Sequence, residues 1–114
     1  MALATNYIKG KLLEAYAAQG TWLSLHTADP GSTGASEVTG GSPSYARKQT
    51  TWGTPASGSM TGSKVSIDVP ATTVVAVGVW SASTAGTYLD KLTIPSTTVS
   101  ANATIDVTPT ITIT

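Results

Sequence analysis

An all-β domain, an antiparallel β-sandwich or small barrel of six to seven short strands preceded by one N-terminal α-helix, is the fold that this 114-residue sequence predicts. Three observations carry the prediction. The chain holds 21 Thr, 13 Ser and 11 Gly, a composition rich in strand-favouring Thr and turn-favouring Gly and Ser. After Gly20, apolar residues recur at every second position in segment after segment. Between those segments Pro and Gly cluster, as they do in turns.

The helix is placed over residues 6–19, where Tyr7, Ile8, Leu12, Leu13 and Tyr16 recur at spacings of three and four. Thr5 or Asn6 supplies the N-cap and Gly20 the stop. Gly10 weakens its middle by about 1 kcal/mol relative to Ala, so the helix depends on docking. Thr21–Thr27 reads as a strand with Leu23 and Leu25 on one face and Trp22, Ser24 and His26 on the other. Residues 28–44 hold Pro30, Gly31, Gly34, Gly40, Gly41 and Pro43, and form a long loop of the kind that carries function in a compact domain.

Tyr45–Trp52 reads as a short strand and Gly53–Ser63 as a second loop. Lys64–Val69 follows as a strand with Val65, Ile67 and Val69 inward. The apolar run Thr73–Trp80 suits a central strand covered on both faces, with Gly78 marking a bulge or a close backbone approach. Ser81–Gly86 turns the chain into its hairpin partner, Thr87–Ile94, which Pro95 is expected to end. The C-terminus alternates, with Ile105, Val107, Ile111 and Ile113 on one face and Thr104, Asp106, Thr110, Thr112 and Thr114 on the other. Pro109 makes it an edge strand or two strands meeting at a break. The whole, residues 1–114, reads as a single domain: helix 6–19, then a β-sandwich over 21–114 with its long loop at 28–44.

Six basic and six acidic side chains balance to zero, and only 11% of residues are charged. That argues against a nucleic-acid partner and against an acidic membrane surface. No secretory signal or apolar run of membrane-spanning length is visible, so synthesis as a soluble cytoplasmic product is expected. Without cysteine there is no disulfide and no thiolate metal site.

Chemistry finds few footholds. His26 is the single histidine, so acid–base catalysis near neutral pH would pass through it, with Asp29 and a serine as partners. No nucleophile elbow accompanies it, and the competing role is a loop anchor at a strand end. Asp29 and Glu37 share the long loop without calcium-loop spacing, and Asp29 before Pro30-Gly31 is a natural turn cap. Arg47 reads as an internal anchor tying the long loop through Asp29 or Glu37. Trp22, Trp52 and Trp80 suit core and interface packing, or else a carbohydrate-binding face. No enzyme activity, cofactor or metal is expected.

The stretch Leu23-Ser24-Leu25-His26-Thr27-Ala28-Asp29-Pro30-Gly31, then Gly34-Ala35-Ser36-Glu37-Val38, Gly40-Gly41 and Ser44-Tyr45-Ala46-Arg47, resembles a family of small tailed-bacteriophage virion proteins. Members of that family are often labelled phage tail fibre proteins. The resemblance runs on through Val77-Gly78-Val79-Trp80-Ser81-Ala82 and Gly86-Thr87-Tyr88-Leu89, and departs at Ser81 and Ser83, where an acidic residue is common. It implies a virion structural protein and no enzyme. A small, shaft-free, neutral, Thr-rich, single-domain chain suits a head decoration protein on the outer surface of the virion that binds the major capsid protein and stabilises the assembled shell. The alternative is a tail-fibre or tail-tip module contacting the host surface, with a host glycan or receptor as partner. Neighbouring copies are expected as further partners, in a homo-oligomer such as a trimer. Tyr7, Ile8, Leu12, Asp29, Glu37, Arg47 and Trp52 are the candidates for protein contact, and His26, Asp29 and Arg47 for anchoring the loop.

Overall fold

The computed structural model of the protein describes residues 3–114. Helix α1 spans Asn6–Gln19. The Thr5 hydroxyl oxygen accepts the Ile8 N–H at 3.3 Å, satisfying one of the amides that a helix start leaves free. Gly20 stops the helix in extended backbone, and its N–H still reaches the Tyr16 carbonyl at 3.1 Å. The need for glycine there is spatial. A Cβ would stand 2.5 Å from Leu89 Cδ1 and 2.9 Å from Val79 Cγ1.

Among the described residues eight strands follow: β1 Trp22–His26, β2 Lys48–Gln49, β3 Ser59–Thr61, β4 Val65–Val69, β5 Thr72–Trp80, β6 Tyr88–Val99, β7 Ala103–Val107 and β8 Thr110–Thr112. One antiparallel sheet has the order β2-β1-β5-β6, with Leu23 opposite Val79 and Leu25 opposite Val77. β4 pairs with β7 and β3 with β8. The Gly62 N–H donates to the Pro109 carbonyl at 2.9 Å, so the two pairs run on as one long ribbon broken at Pro109.

The ribbon packs under the sheet. Leu23, Leu25, Val74, Val77 and Val79 point down, and Val65, Ile67, Val69, Ile105 and Val107 point up, giving one contiguous apolar core. Each such side chain contributes about 1.5–3 kcal/mol by leaving water, which makes this layer the main stabilising element. Period-two alternation in both layers dictates the arrangement, because a one-residue slip would turn the apolar set outward. The result is an all-β, sandwich-like fold behind one helix, open rather than closed into a barrel. Among the described residues no helix is long and apolar enough to cross a membrane.

Four element expectations need correction. Pro95 does not end β6, which runs through it to Val99. β6 is the edge of the sheet, and its register against β5 slips between Val74 and Ala76, so the missing Pro95 N–H falls where regular pairing is already interrupted. Gly53–Ser63 is not all loop, since it contains β3. The count of strands rises to eight as a result of such short pieces. Tyr45–Trp52 is a strand only over Lys48–Gln49, because its neighbours serve two layers. Thr50 N–H bonds back to Thr21 O at 2.8 Å, while Ser63 N–H donates to Thr51 O at 2.9 Å and Gly53 N–H to Thr61 O at 2.8 Å. The segment thus crosses from sheet to ribbon and ties them together.

Candidate functional site

The sheet's second face, away from the ribbon, carries Ser24 and His26 of β1 beside Gly78 and Trp80 of β5. The long loop folds over it as a roof. Trp80 Nε1–H donates to Ser24 Oγ at 2.8 Å, Ser24 Oγ lies 2.6 Å from His26 Nε2, and His26 Nδ1 lies 2.7 Å from the Ala35 carbonyl. A carbonyl can only accept, so Nδ1 holds the ring proton, Nε2 accepts from Ser24, and every group in the chain is satisfied. Burial pushes the His26 pKa down; the Ala35 bond and the Glu37 charge oppose it without restoring the ordinary value. His26 is therefore a neutral anchor joining sheet to roof. Ser24 is fully buried, and a carbonyl occupies the place where a catalytic dyad would have its orienting carboxylate.

Gly78 makes the chain possible. A Cβ there would collide with Ser24 Oγ and lie 2.6 Å from His26 Nε2. The close-approach alternative is the one realised. Gly34 does the same for the roof, since a Cβ would stand 2.6 Å from the Trp80 ring, and its φ of +75 favours glycine in any case.

Beyond His26 the chain returns along β1, with Glu37 opposite His26 and Val38 N–H donating to Leu25 O at 2.9 Å. It leaves the sheet over 39–47 and rejoins it at β2, opposite Leu23. Residues 37–49 are thus one edge strand with an excursion inserted. The excursion strands the Leu25 N–H, and the Tyr45 phenol fills the gap: Leu25 N–H donates to Tyr45 Oη at 3.1 Å, and Tyr45 O–H donates to Glu37 Oε2 at 2.7 Å. Burial, with the Glu37 acceptor beside it, pushes the Tyr45 pKa well above its ordinary value.

Glu37 is held in turn by Arg47. The pair is bidentate, Nε to Oε2 at 2.9 Å and Nη2 to Oε1 at 3.0 Å. Arg47 Nη1 donates to the Ala82 and Ala85 carbonyls at 3.1 and 2.9 Å, and the guanidinium lies 3.7 Å from the Trp80 ring centroid. Burial pushes the Glu37 carboxyl up, but hydrogen bonds from Arg47 and Tyr45 outweigh it and leave the pKa below the usual value. One side chain so joins the 39–47 excursion, the returning edge strand and the 81–86 turn. Between the two tips lies a cleft of about 340 Å³, walled by Thr39, Gly40, Ala46, Ser83 and Thr84 and floored by Glu37 and Arg47.

The residues proposed for contact or anchoring divide. Glu37 and Arg47 are turned largely inward onto each other. Trp52 is half-buried, edge-on to Tyr16 at 5.9 Å with its Nε1–H on the Gly20 carbonyl at 2.8 Å, so it docks α1 to the body. Asp29 is exposed; it caps the Gly31 N–H at 2.9 Å and pairs with Lys91 at 2.6 Å, and does not reach Arg47. Tyr7, Ile8 and Leu12 face solvent. Sequence reasoning missed Lys91, for which a separation of 62 positions from Asp29 leaves no local signal. It also missed Ser24 as the relay between Trp80 and His26, although its position two before His26 on one strand face was legible. Among the described residues no cluster of His, Asp and Glu suited to a metal is found.

A family model described as podophage GP4 fiber I protein gp80 matches residues 4–113. The chain belongs to this gp80 family. Its β-sandwich, roofed face and tip cleft are therefore those of a phage fibre-type structural protein. No curated protein and no solved structure matched the chain.

Proposed function

We propose that this gp80-family protein is a non-enzymatic fibre subunit of the virion, exposed on its outer surface, that presents the 39–47 and 81–86 tips to the host. The observation that carries this is the family match, which spans nearly the whole chain and bears the description of a fibre protein. It favours the tail-fibre alternative over the head-decoration reading, and a tail component over the major capsid protein as the attachment partner. The tips support it physically. They are small, polar and exposed, yet their backbones are tied down by one buried arginine, so contact with a partner needs little ordering of loops. The cleft they form has hydroxyl-bearing walls and a balanced ion pair as its floor, which suits a neutral hydroxylated ligand such as a surface glycan.

The test is competition for adsorption. Purified protein is expected to slow phage adsorption to host cells, and Thr84→Trp, which fills the cleft from an exposed position, is expected to remove the effect without changing thermal unfolding. Adsorption unaffected by wild-type protein, or equally slowed by Thr84→Trp, would count against host contact through the tips.

A further inference from the structure

Arg47 has one hydrogen-bond donor more than the fold uses. A guanidinium carries five N–H groups in a single rigid plane. Nε gives its own to Glu37 Oε2, Nη1 gives both of its N–H groups to the Ala82 and Ala85 carbonyls, and Nη2 gives one to Glu37 Oε1. Among the described residues the second N–H of Nη2 meets no acceptor, although the Arg47 side chain is only 8% exposed. The planar fork fixes where this N–H points. It runs parallel to one of the Nη1 N–H bonds, away from Glu37 and toward the 81–86 wall of the cleft whose floor Arg47 forms.

Glu37 has the matching surplus. Its Oε2 accepts from both the Tyr45 hydroxyl and Arg47 Nε, whereas Oε1 accepts from Arg47 Nη2 alone and keeps a lone pair free. The cleft floor therefore offers one donor and one acceptor on atoms 3.0 Å apart.

A ligand that satisfies both must accept at one atom and donate at its neighbour, on the same side. Two hydroxyls on adjacent carbons do this, one taking the Nη2 N–H while the other donates to Oε1. A peptide group does not, because its trans geometry points C=O and N–H in opposite directions. An anion would meet the Glu37 carboxylate and a cation the Arg47 guanidinium, so both are disfavoured. The hydroxyls of Thr39, Ser83 and Thr84 on the walls serve the remaining oxygens of a polyol.

We propose that the cleft recognises a neutral sugar through a vicinal diol, with Arg47 Nη2 and Glu37 Oε1 as the atoms that set its specificity. This deepens the proposed host contact and rests on that reading for the cleft as a ligand site. The ion pair then holds the two tips together with most of its hydrogen bonds and reads the ligand with those left over.

Arg47 is the single arginine of the chain, so its guanidinium N–H resonances report on the cleft floor without ambiguity. Titration of the isotope-labelled full chain with the methyl glycosides of mannose, galactose and glucose, all of which carry vicinal hydroxyls, is expected to shift the Nη2 signal to saturation for at least one of them. An apparent Kd of about 1–10 mM suits a single small neutral ligand. The fully O-methylated form of that glycoside, which retains acceptors but has no donor for Glu37, and inorganic phosphate are expected to leave the signal unmoved. Thr84→Trp, which fills the cleft from an exposed position, is expected to abolish the shift while the melting transition is unchanged. No shift with any of the three glycosides, an equal shift with the methylated form, a larger shift with phosphate, or a shift that survives Thr84→Trp would overturn the proposal. Adsorption competition reads host contact and this titration reads the diol site, so the two fail separately: adsorption slowed by the wild type but not by Thr84→Trp, with no glycoside shift, leaves the tips in contact with the host and removes the sugar.

Discussion

The Arg47 guanidinium lies flat over the indole of Trp80, 3.7 Å from the ring centroid, while its fork grips both oxygens of Glu37. Stacking fixes the plane of the guanidinium and the carboxylate fixes its rotation within that plane. Nη1 is then aimed at the Ala82 and Ala85 carbonyls. Lysine has neither the fork nor the plane.

Arg47→Ala is therefore expected to destabilise the fold by about 2–4 kcal/mol, since it leaves Glu37 partly buried without its partner. Arg47→Lys should keep the charge and still lose about half of that, as the two carbonyls and the second carboxylate oxygen go unpaired. Removing both charges with Glu37→Gln and Arg47→Met should cost less than Arg47→Ala alone, and chemical denaturation of the three variants checks the order.

Acid should loosen the roof in two stages. The His26 pKa is lowered in the folded state, so below the ordinary value of 6.5 the unfolded chain binds the extra proton first, and stability falls as pH falls. The Glu37 pKa is also lowered, so its contribution is present above its ordinary 4.5 and is lost on further acidification. Thermal unfolding from pH 7.5 to 3.5 should show both declines. His26→Gln, which cannot titrate, should remove the upper decline and retain the lower.

Gly78 and Gly31 should fail differently as alanine. At Gly78 a Cβ meets Ser24, His26 and the Trp80 indole nitrogen, and overpacking of this kind costs about 1–3 kcal/mol or more. At Gly31 nothing lies within 4 Å, and the φ of +60 alone costs about 1 kcal/mol. Melting curves of the two variants, with Trp80 fluorescence as a local probe, distinguish them: only Gly78→Ala should shift the emission of the folded state.

Tyr45→Phe should open the sheet edge locally. It removes the acceptor for the Leu25 N–H and a donor to Glu37, a loss of about 1–2 kcal/mol. Hydrogen exchange should report it at the Leu25 amide and leave Val77 and Val79 protected. Equal acceleration across β5 would show that the phenol supports the whole sheet and not its edge alone.

The parts of the fold that were legible in the sequence are those where one period governs a whole segment. Helix 6–19, the Leu23/Leu25 face, the central strand through Trp80 and the break at Pro109 all follow from local spacing and agree with the structure. What was not legible depends on where a segment sits. Pro95 ends a strand in a sheet interior but not on the edge that β6 occupies, and strand order is invisible before folding. Tyr45–Trp52 alternates like a strand, yet its backbone is divided between sheet and ribbon. Arg47 was identifiable as an anchor through Asp29 or Glu37, and Glu37 is the partner it takes. The choice rests on the returning edge strand, which brings Glu37 opposite His26 and leaves Asp29 on the far side with Lys91.

Cryo-electron microscopy of purified particles, with this chain fitted into the density, tests the central claim most directly. The account predicts copies at the tail, with the 39–47 and 81–86 tips pointing away from the particle. Density repeated over the capsid faces would make the protein a decoration subunit instead, and its absence from the particle would contradict a place in the virion altogether.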